Sequence, residues 1–131
     1  MTAKPLYTTK QMGDAAEMMV AANLTLCGVP SFTGPVNWPG YDVIAAPRNK
    51  PSQRVSVKCR GTSNINFRPA DFDWLAIVLI NERPYRFFIL PRDVAVKHST
   101  ETGEGLRTLY LKSVPAKFAA YEDNFELHRH R

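Results

Sequence analysis

Two β-type runs decide the fold of this chain: Gly40-Tyr41-Asp42-Val43-Ile44-Ala45-Ala46 and Arg54-Val55-Ser56-Val57-Lys58-Cys59-Arg60. A proline-containing polar connection at 47–53 separates them, and this pattern predicts a β-hairpin with a long loop. Because side chains alternate along a strand, Ser56 and Lys58 share one face and Val57 lies on the other. Asp42 opens the first run, where its carboxylate can meet Lys58 across the ladder. An acid and a lysine on adjacent strands suit a metal ion and the phosphate that it polarises.

Length and charge limit the class of protein. The chain has 131 residues, of which 44% are hydrophobic and 22% are charged, so we expect a single compact domain over 1–131. Seventeen basic residues against 12 acidic ones give a formal charge of +5. This excess is consistent with a polyanionic partner and equally with a merely basic protein.

The cysteines and the hydropathy of the chain indicate the cellular compartment of the protein. Cys27 and Cys59 form no CxxC motif, which is typical of reduced thiols in a cytosolic protein. No run of apolar residues is long enough to span a bilayer, and no apolar segment follows Lys4. We therefore expect a cytoplasmic protein that does not bind membranes.

The clearest helix begins at Thr8 or Thr9, either of which can cap it, and ends near Cys27, before Gly28. The residues predicted to form its apolar face are Met12, Ala15, Ala16, Met19, Val20, Asn23, Leu26 and Cys27. Glu17 borders small and apolar residues of this helix. From position alone, an exposed surface glutamate is the simpler interpretation of Glu17.

The rest of the chain predicts a mixed sheet with helices on its faces. Phe32 and Trp38 are expected to pin a proline-rich loop at 29–39 to the body of the protein. The remaining predicted elements are a polar loop at 61–70, a buried central strand at 74–80, a strand at 85–90, a helix at 92–97, a loop at 99–105, a strand at 106–111, a helix at 115–121 and a basic tail at 127–131.

The order of these motifs resembles the PD-(D/E)XK nuclease superfamily. The motifs are a helix that carries Glu17, Gly-Tyr-Asp-Val at 40–43, Val-Ser-Val-Lys-Cys at 55–59, Asp-Trp-Leu-Ala-Ile-Val at 73–78 and Tyr-Arg-Phe-Phe-Ile-Leu-Pro at 85–91. The nearest likenesses are small Holliday-junction resolvases and homing or restriction-type endonucleases. The resemblance covers a core of about 9–97 and implies an α/β, restriction-endonuclease-like mixed β-sheet flanked by helices.

The resemblance also implies a catalytic set, which consists of Asp42, Lys58, Glu17 and Ser56. In that family, the hairpin aspartate binds a divalent ion and the lysine serves the attacking water or the transition state. Carried over by position, Asp42, the backbone carbonyl of Val57 and Glu17 would hold Mg²⁺ or Mn²⁺.

Ser56 departs from the family pattern, because it stands where the family usually has an acidic residue or glutamine. A hydroxyl is a neutral and weaker ligand for Mg²⁺, although a water held by Ser56 could occupy the same place. Asp71 and Asp73 are alternative sources of the missing charge, and both could instead cap the loop before the central strand. Without the resemblance, a cross-strand ion pair between Asp42 and Lys58 is the simpler interpretation.

Nucleic-acid contacts are expected after the hairpin. Residues with donors suited to phosphates are Arg60, Asn64, Asn66 and Arg68. An ordinary solvated loop explains the same composition. Trp38, Trp74 and the Phe87-Phe88 pair are interpreted as core residues rather than stacking platforms, since no basic residues interleave with the tryptophans.

Two hypotheses about function follow. The first is a Mg-dependent endodeoxyribonuclease, a divalent-metal-dependent endonuclease that hydrolyses DNA phosphodiester bonds; the resemblance implies a homodimer. The second is a catalytically degraded nuclease fold that serves as a nucleic-acid-binding or assembly module, and Ser56 is the feature that favours it. A small-molecule enzyme lacks support, because the sequence has no glycine-rich phosphate loop and no nucleophile elbow.

Overall fold

The computed structural model describes residues 6–35 and 40–130. Helix α1 (Thr9–Leu26) starts at a capping box: Gln11 N donates to Thr8 Oγ1 at 3.1 Å, and Thr8 N donates to Gln11 Oε1 at 2.9 Å. Gly28, with φ +91°, ends it in the left-handed region that favours glycine. Both ends of this helix are confirmed within one residue.

The buried face of α1 is narrower than the sequence predicts. Met12, Ala16, Val20 and Leu24 follow one i, i+4 row and are buried, together with Ala21. Leu26 and Cys27 are exposed, so their predicted burial is wrong. The predicted apolar face combined this row of residues with a neighbouring apolar row. Only the first of these two rows packs against the sheet.

The main sheet has five strands. They are β1 (Ser31–Thr33), β2 (Val43–Ala45), β3 (Gln53–Arg60), β5 (Trp74–Leu79) and β6 (Arg86–Pro91), in the spatial order β1-β2-β3-β5-β6. The β3–β5 pair is parallel, whereas every other neighbouring pair of this sheet is antiparallel. The predicted mixed sheet is therefore confirmed, as is the β2–β3 hairpin.

A smaller sheet lies beside the first. Its strands are β4 (Ile65–Phe67), β7 (Thr100–Gly103) and β8 (Leu106–Leu109), in the order β4-β8-β7. The helices that follow α1 are α2 (Arg92–Lys97) and α3 (Val114–Lys117), and single 3-10 turns occupy Pro69–Asp71, Leu111–Ser113 and Ala119–Tyr121.

Three predicted loops contain short strands. The loop at 29–39 includes β1, the loop at 61–70 includes β4, and the loop at 99–105 includes β7. Phe32 is 56% exposed, so it does not pin the first of these loops, and Trp38 lies outside the described residues. Each of these strands has only three or four residues and mostly polar neighbours, so its pairing comes from tertiary contacts rather than from local pattern.

Strand β5 separates two hydrophobic clusters. All six of its residues are buried, as predicted for a central strand covered on both faces. On one face, Trp74, Ala76 and Val78 pack with α1; on the other, Leu75 and Ile77 pack with Phe67, Phe72, Phe88 and Phe118. The interpretation of Trp74 and Phe88 as core residues is confirmed.

The C-terminal segment is held against β6. Asn124 is 0% exposed and donates to the Ile89 carbonyl at 3.1 Å. The Arg129 guanidinium stacks 5.0 Å from the Trp74 ring centroid. In the described part of the chain, no helix is long and apolar enough to cross a bilayer.

Candidate active site

Asp42 lies where β2 begins, beyond the last pair of its ladder with β3. Its backbone N–H donates to the Val55 carbonyl at 2.9 Å, and its Oδ2 accepts from the Val57 N–H at 2.8 Å. Because the N–H and C=O of one strand residue point to the same side, the Val57 carbonyl also faces Asp42. The structure therefore brings the Asp42 carboxylate to the backbone of Val57, and the role of this carbonyl as a metal ligand stays a prediction.

Lys58 extends from the opposite face to Val57. Its register partner is Ile77 and that of Ser56 is Leu75, so both side chains lie on the face of the Phe72 cluster. Ser56 is only 2% exposed. Burial, followed by the charge of Arg60, lowers the pKa of Lys58, and the carboxylates of Asp42 and Asp71 act in the opposite direction.

The simple ion pair between Asp42 and Lys58 is not formed. Among the described residues, no carboxylate lies within 4.0 Å of the Lys58 ammonium. Asp42 instead uses its carboxylate on the backbone of β3. A half-buried lysine beside two carboxylates, but paired with neither, has its donors available for a third group.

Glu17 is half-buried on α1 and faces the same region. Burial raises its pKa to about 7, and the nearby charges of Asp42 and Asp14 add to the shift. Glu17, Asp42, Asp14 and Lys10 line a cavity of about 350 Å³ between α1 and the residues that follow β1. Glu17 is therefore not the isolated surface glutamate that its position alone favours.

Two solved structures share this arrangement of elements. A bacterial homing endonuclease, I-Ssp6803I, superimposes with a TM-score of 0.67 at 18% identity, over 92% of this chain and 93% of that chain. The Holliday junction resolvase Hjc from Archaeoglobus fulgidus superimposes with a TM-score of 0.58 at 13% identity, over 80% of this chain and 88% of that chain. The chain therefore has the same fold as these two proteins.

Two comparisons by sequence find no match. No protein-family model matches the chain, and no curated protein matches it in sequence. The likeness to the two solved structures is therefore a likeness of fold.

The oxygen donors near Asp42 are of the kind that a small, hard cation prefers. Mg²⁺ binds one or two carboxylates and keeps several waters or phosphate oxygens. Asp42 and Glu17 offer two carboxylates, and the raised pKa of Glu17 comes first from burial and then from the charges of Asp42 and Asp14. No group of three His, Cys, Asp or Glu side chains in the described ranges is arranged to hold a metal ion. Any further ligands of a cation here would have to be backbone, water or phosphate oxygens.

Three of the four predicted nucleic-acid contacts share a groove. Arg60, Asn64 and Asn66 line a cavity of about 650 Å³ between the start of α1 and the end of β3. Asn64 Oδ1 accepts from the Leu111 N–H at 3.0 Å, which holds the floor of this groove in place. Arg68 does not line the groove; its guanidinium donates to the Glu104 carbonyl at 3.0 Å.

Asp71 and Asp73 have different environments. Asp73 Oδ2 accepts from the Arg54 N–H at 2.8 Å, and its Oδ1 lies 3.6 Å from the Arg92 guanidinium, so Asp73 ties β3 to α2. Asp71 packs instead against the backbone of Gly40, beside Asp42 and Lys58. The sequence alone did not distinguish these two aspartates as sources of charge, because their different environments arise from tertiary contacts.

Proposed function

We propose that the chain is a divalent-metal-dependent endonuclease that hydrolyses DNA phosphodiester bonds. The observation that carries this proposal is the position of Asp42, whose carboxylate binds the backbone of β3 and acts electrostatically on both Glu17 and Lys58. These groups come from three elements of a fold that the chain shares with a homing endonuclease and a Holliday junction resolvase.

Asp42 and Glu17 would hold Mg²⁺ or Mn²⁺ together with the Val57 carbonyl. The bound ion would supply Lewis-acid activation of the scissile phosphate. The hydrogen bond from Val57 N to Asp42 orients the carboxylate before any ligand arrives. Glu17 would hold the cation in its ionised form, and a bound cation would favour that form over the protonated one.

Lys58 acts on the phosphate. Its half-buried ammonium is poorly solvated, which strengthens its interaction with an anionic group that enters the site. It stabilises the negative charge that grows on the phosphate oxygens in the transition state. Its position one residue after Val57 places it next to the proposed metal-binding carbonyl.

DNA would approach along the groove next to α1. Arg60, Asn64 and Asn66 offer guanidinium and amide groups for contacts with the backbone of a strand, and Arg68 would contribute from outside the groove. A homodimer, which would present two such sites to a duplex, is part of this proposal.

A second candidate is a nucleic-acid-binding or assembly module that has lost catalysis. Ser56 favours it, because a neutral and nearly inaccessible side chain occupies the position where the family pattern has an acid. The degraded module would keep the groove and Lys58 but would bind no divalent ion in the absence of DNA.

A plasmid-nicking assay separates the two candidates. The full chain is incubated with supercoiled plasmid in Mg²⁺, in Mn²⁺ and in chelator, alongside the variants Asp42→Ala and Lys58→Ala. Exposed residues of α2 provide charge-matched controls, Asp93→Ala and Lys97→Ala. Metal-dependent nicking that only the two site variants abolish supports the endonuclease, whereas plasmid binding without nicking in either metal overturns it.

A further inference from the structure

We propose that the polar face of the small sheet, formed by β4, β8 and β7, lies in the major groove of duplex DNA and that Asn66 determines which base pairs bind there. This inference rests on the proposed function, because it takes DNA as the ligand. It refines the role of Asn66 from a contact with the DNA backbone to a contact with base edges, and it adds residues of β7 and β8 to the DNA-binding surface.

The two faces of the small sheet differ in composition. The face that packs in the Phe72 cluster consists of Ile65, Phe67 and Leu109. Because side chains alternate along a strand, Asn66 and Thr108 lie on the opposite face, where they are register partners across β4 and β8. Thr100 of β7 is the register partner of Thr108 on its other side. A row of amide and hydroxyl groups therefore crosses the face that points away from the core.

A chain of hydrogen bonds fixes the direction of the exposed Asn66 amide. Thr108 Oγ1 donates to Asn66 Oδ1 at 2.6 Å. Since a hydroxyl has a single hydrogen, the 3.1 Å contact between Thr102 Oγ1 and Thr108 Oγ1 is donated by Thr102. Asn66 Nδ2 donates no hydrogen bond to any described residue. The sheet thus holds the amide oxygen of Asn66, and the two N–H donors are left for an acceptor on a ligand.

The position of Asn66 next to the groove along α1 favours DNA as this ligand. Asn66 lines the groove together with Arg60 and Asn64, so a duplex whose backbone lies in the groove would present its base edges to the adjoining face. Neighbouring strands lie about 4.8 Å apart, and the major groove of B-DNA, about 12 Å wide, admits a two-stranded ribbon, whereas the minor groove of about 6 Å does not. All four residues of β7 are exposed, so nothing on that side obstructs the approach.

The charge on this face suits a polyanion. Arg68 is exposed at its edge, where its guanidinium donates to the Glu104 carbonyl at 3.0 Å. In the three strands as described, the single carboxylate is that of Glu101, and its register partner is Arg107, so it lies on the opposite face from Thr108. Glu104 lies beyond the strands, in the turn between β7 and β8. Phosphates can therefore approach the row of Asn and Thr side chains without repulsion from a carboxylate in that row.

Selection from a pool of random-sequence duplexes tests the inference. The full chain binds the pool in chelator, which prevents metal-dependent cleavage, and the enriched duplexes are sequenced for the wild type, Asn66→Ala, Thr108→Val and Asn81→Ala. Asn81 is an exposed asparagine between β5 and β6 and does not line the groove, so it provides the control. We expect the wild-type pool to converge on a sequence. Asn66→Ala and Thr108→Val should lose the preference at the same base pairs, and Asn81→Ala should keep it.

Affinity and its salt dependence distinguish base contacts from backbone contacts. On the selected duplex, Asn66→Ala should weaken binding about tenfold and leave the dependence of the dissociation constant on salt unchanged. Arg60→Ala, which removes a proposed backbone contact, should weaken binding to selected and unselected duplexes equally and reduce the salt slope by about 1. The same behaviour in Asn66→Ala would place Asn66 on the DNA backbone and overturn the inference.

A conservative variant and a footprint complete the test. Asn66→Asp keeps the oxygen that accepts from Thr108 but lacks the N–H donors, so it should fold and lose the preference; it carries the test if Thr108→Val does not fold. Methylation of the selected duplex by dimethyl sulfate reports the groove. The wild type should protect guanine N7, which lies in the major groove, and protection of adenine N3 alone would overturn the inference.

The outcomes separate this inference from the proposed function. A selected sequence that is unchanged in Asn66→Ala and Asn66→Asp, or a wild-type pool that does not converge, overturns the inference and leaves the endonuclease proposal to the plasmid-nicking assay. Sequence selection that depends on Asn66, by a chain that binds plasmid but does not nick it, supports the inference and overturns the endonuclease. A wild-type chain that binds no DNA overturns both.

Discussion

The Asp42 carboxylate accepts a hydrogen bond from the backbone N–H of Val57 at 2.8 Å, at the end of the β2–β3 ladder remote from the 47–53 connection. A charged acceptor makes this bond stronger than a neutral backbone bond. It also fixes the direction of the carboxylate next to the Val57 carbonyl. One contact therefore contributes both to the stability of the hairpin and to the arrangement of the proposed site.

Two substitutions at Asp42 separate these contributions. Asp42→Asn keeps an oxygen acceptor for Val57 N, so the free energy of unfolding should change by less than about 1 kcal/mol, while nicking falls at least about 100-fold. Asp42→Ala leaves this N–H without its partner and should cost about 1–3 kcal/mol as well. Urea denaturation and plasmid nicking measure the two effects. Wild-type activity in Asp42→Asn would contradict the role of its charge.

Lys58→Met should make the protein more stable and less active. The lowered pKa of Lys58 means that the native state binds its proton more weakly than the unfolded state does. The charged form therefore destabilises the fold below pH 10.5, and stability is regained as the pH rises toward that value. We expect a gain of about 1 kcal/mol at pH 7 by urea denaturation. The exposed control Lys97→Met should not change stability, and a destabilised Lys58→Met would contradict the argument.

The hairpin could be predicted because its pattern is local. Alternation in 53–60 and the polar connection before it predicted the pairing of β2 with β3, and a threonine N-cap and Gly28 located α1. The strand β4 could not be predicted in this way, since Ile65 and Phe67 are isolated apolar residues in a polar stretch and gain their burial only from β8 and the second cluster. The exposed position of Leu26 likewise depends on where the sheet ends.

The same distinction applies to the site. The proximity of Glu17 to Asp42 depends on how α1 packs across β2 and β3, and sequence position alone favoured an exposed glutamate. The approach of Asp71 to Gly40 joins segments separated by the whole β2–β3 hairpin. The resemblance to a family indicated the first of these contacts, whereas the second has no signal in the local sequence pattern.

Because the pKa of Glu17 is raised, the stability of the protein should depend on pH when a chelator keeps it free of metal. The folded-state pKa of about 7 lies above the ordinary value of 4.5 for a glutamate, so the native state holds this proton more tightly. The stabilisation is complete below pH 4.5 and is lost as the pH rises to about 7. Because Glu17 is only half-buried, solvent screening reduces the change to on the order of 1 kcal/mol.

Denaturation of the metal-free protein between pH 4.5 and 7.5 measures this effect. Glu17→Gln should remove this part of the dependence of the free energy of unfolding on pH. The exposed control Glu104→Gln should retain it. Mn²⁺ should restore stability at pH 7.5, since it binds the ionised carboxylate of the native state. An identical slope in wild type and Glu17→Gln would show that Glu17 does not share the environment of Asp42.

Asn124 should be a main determinant of stability outside the site. Its amide donates to the Ile89 carbonyl at 3.1 Å and the His128 carbonyl at 2.9 Å, and its Oδ1 accepts from the His128 N–H at 3.0 Å. Asn124→Ala removes these bonds in a fully buried position and should cost about 2–4 kcal/mol by urea denaturation. Asn124→Asp should be at least as harmful, because a carboxylate would face two carbonyl oxygens without a donor.

The neighbouring ion pair supplies the control for Asn124. Arg86 donates to both carboxylate oxygens of Glu122 at 2.8 Å, but this pair lies near the surface, so Glu122→Gln should cost less than about 1 kcal/mol. Both variants should keep the metal affinity of the wild type, since neither residue contacts Asp42, Glu17 or Lys58. If Asn124→Ala were as stable as Glu122→Gln, the C-terminal segment would contribute little to the fold, and its docking on β6 would not account for the burial of Phe125.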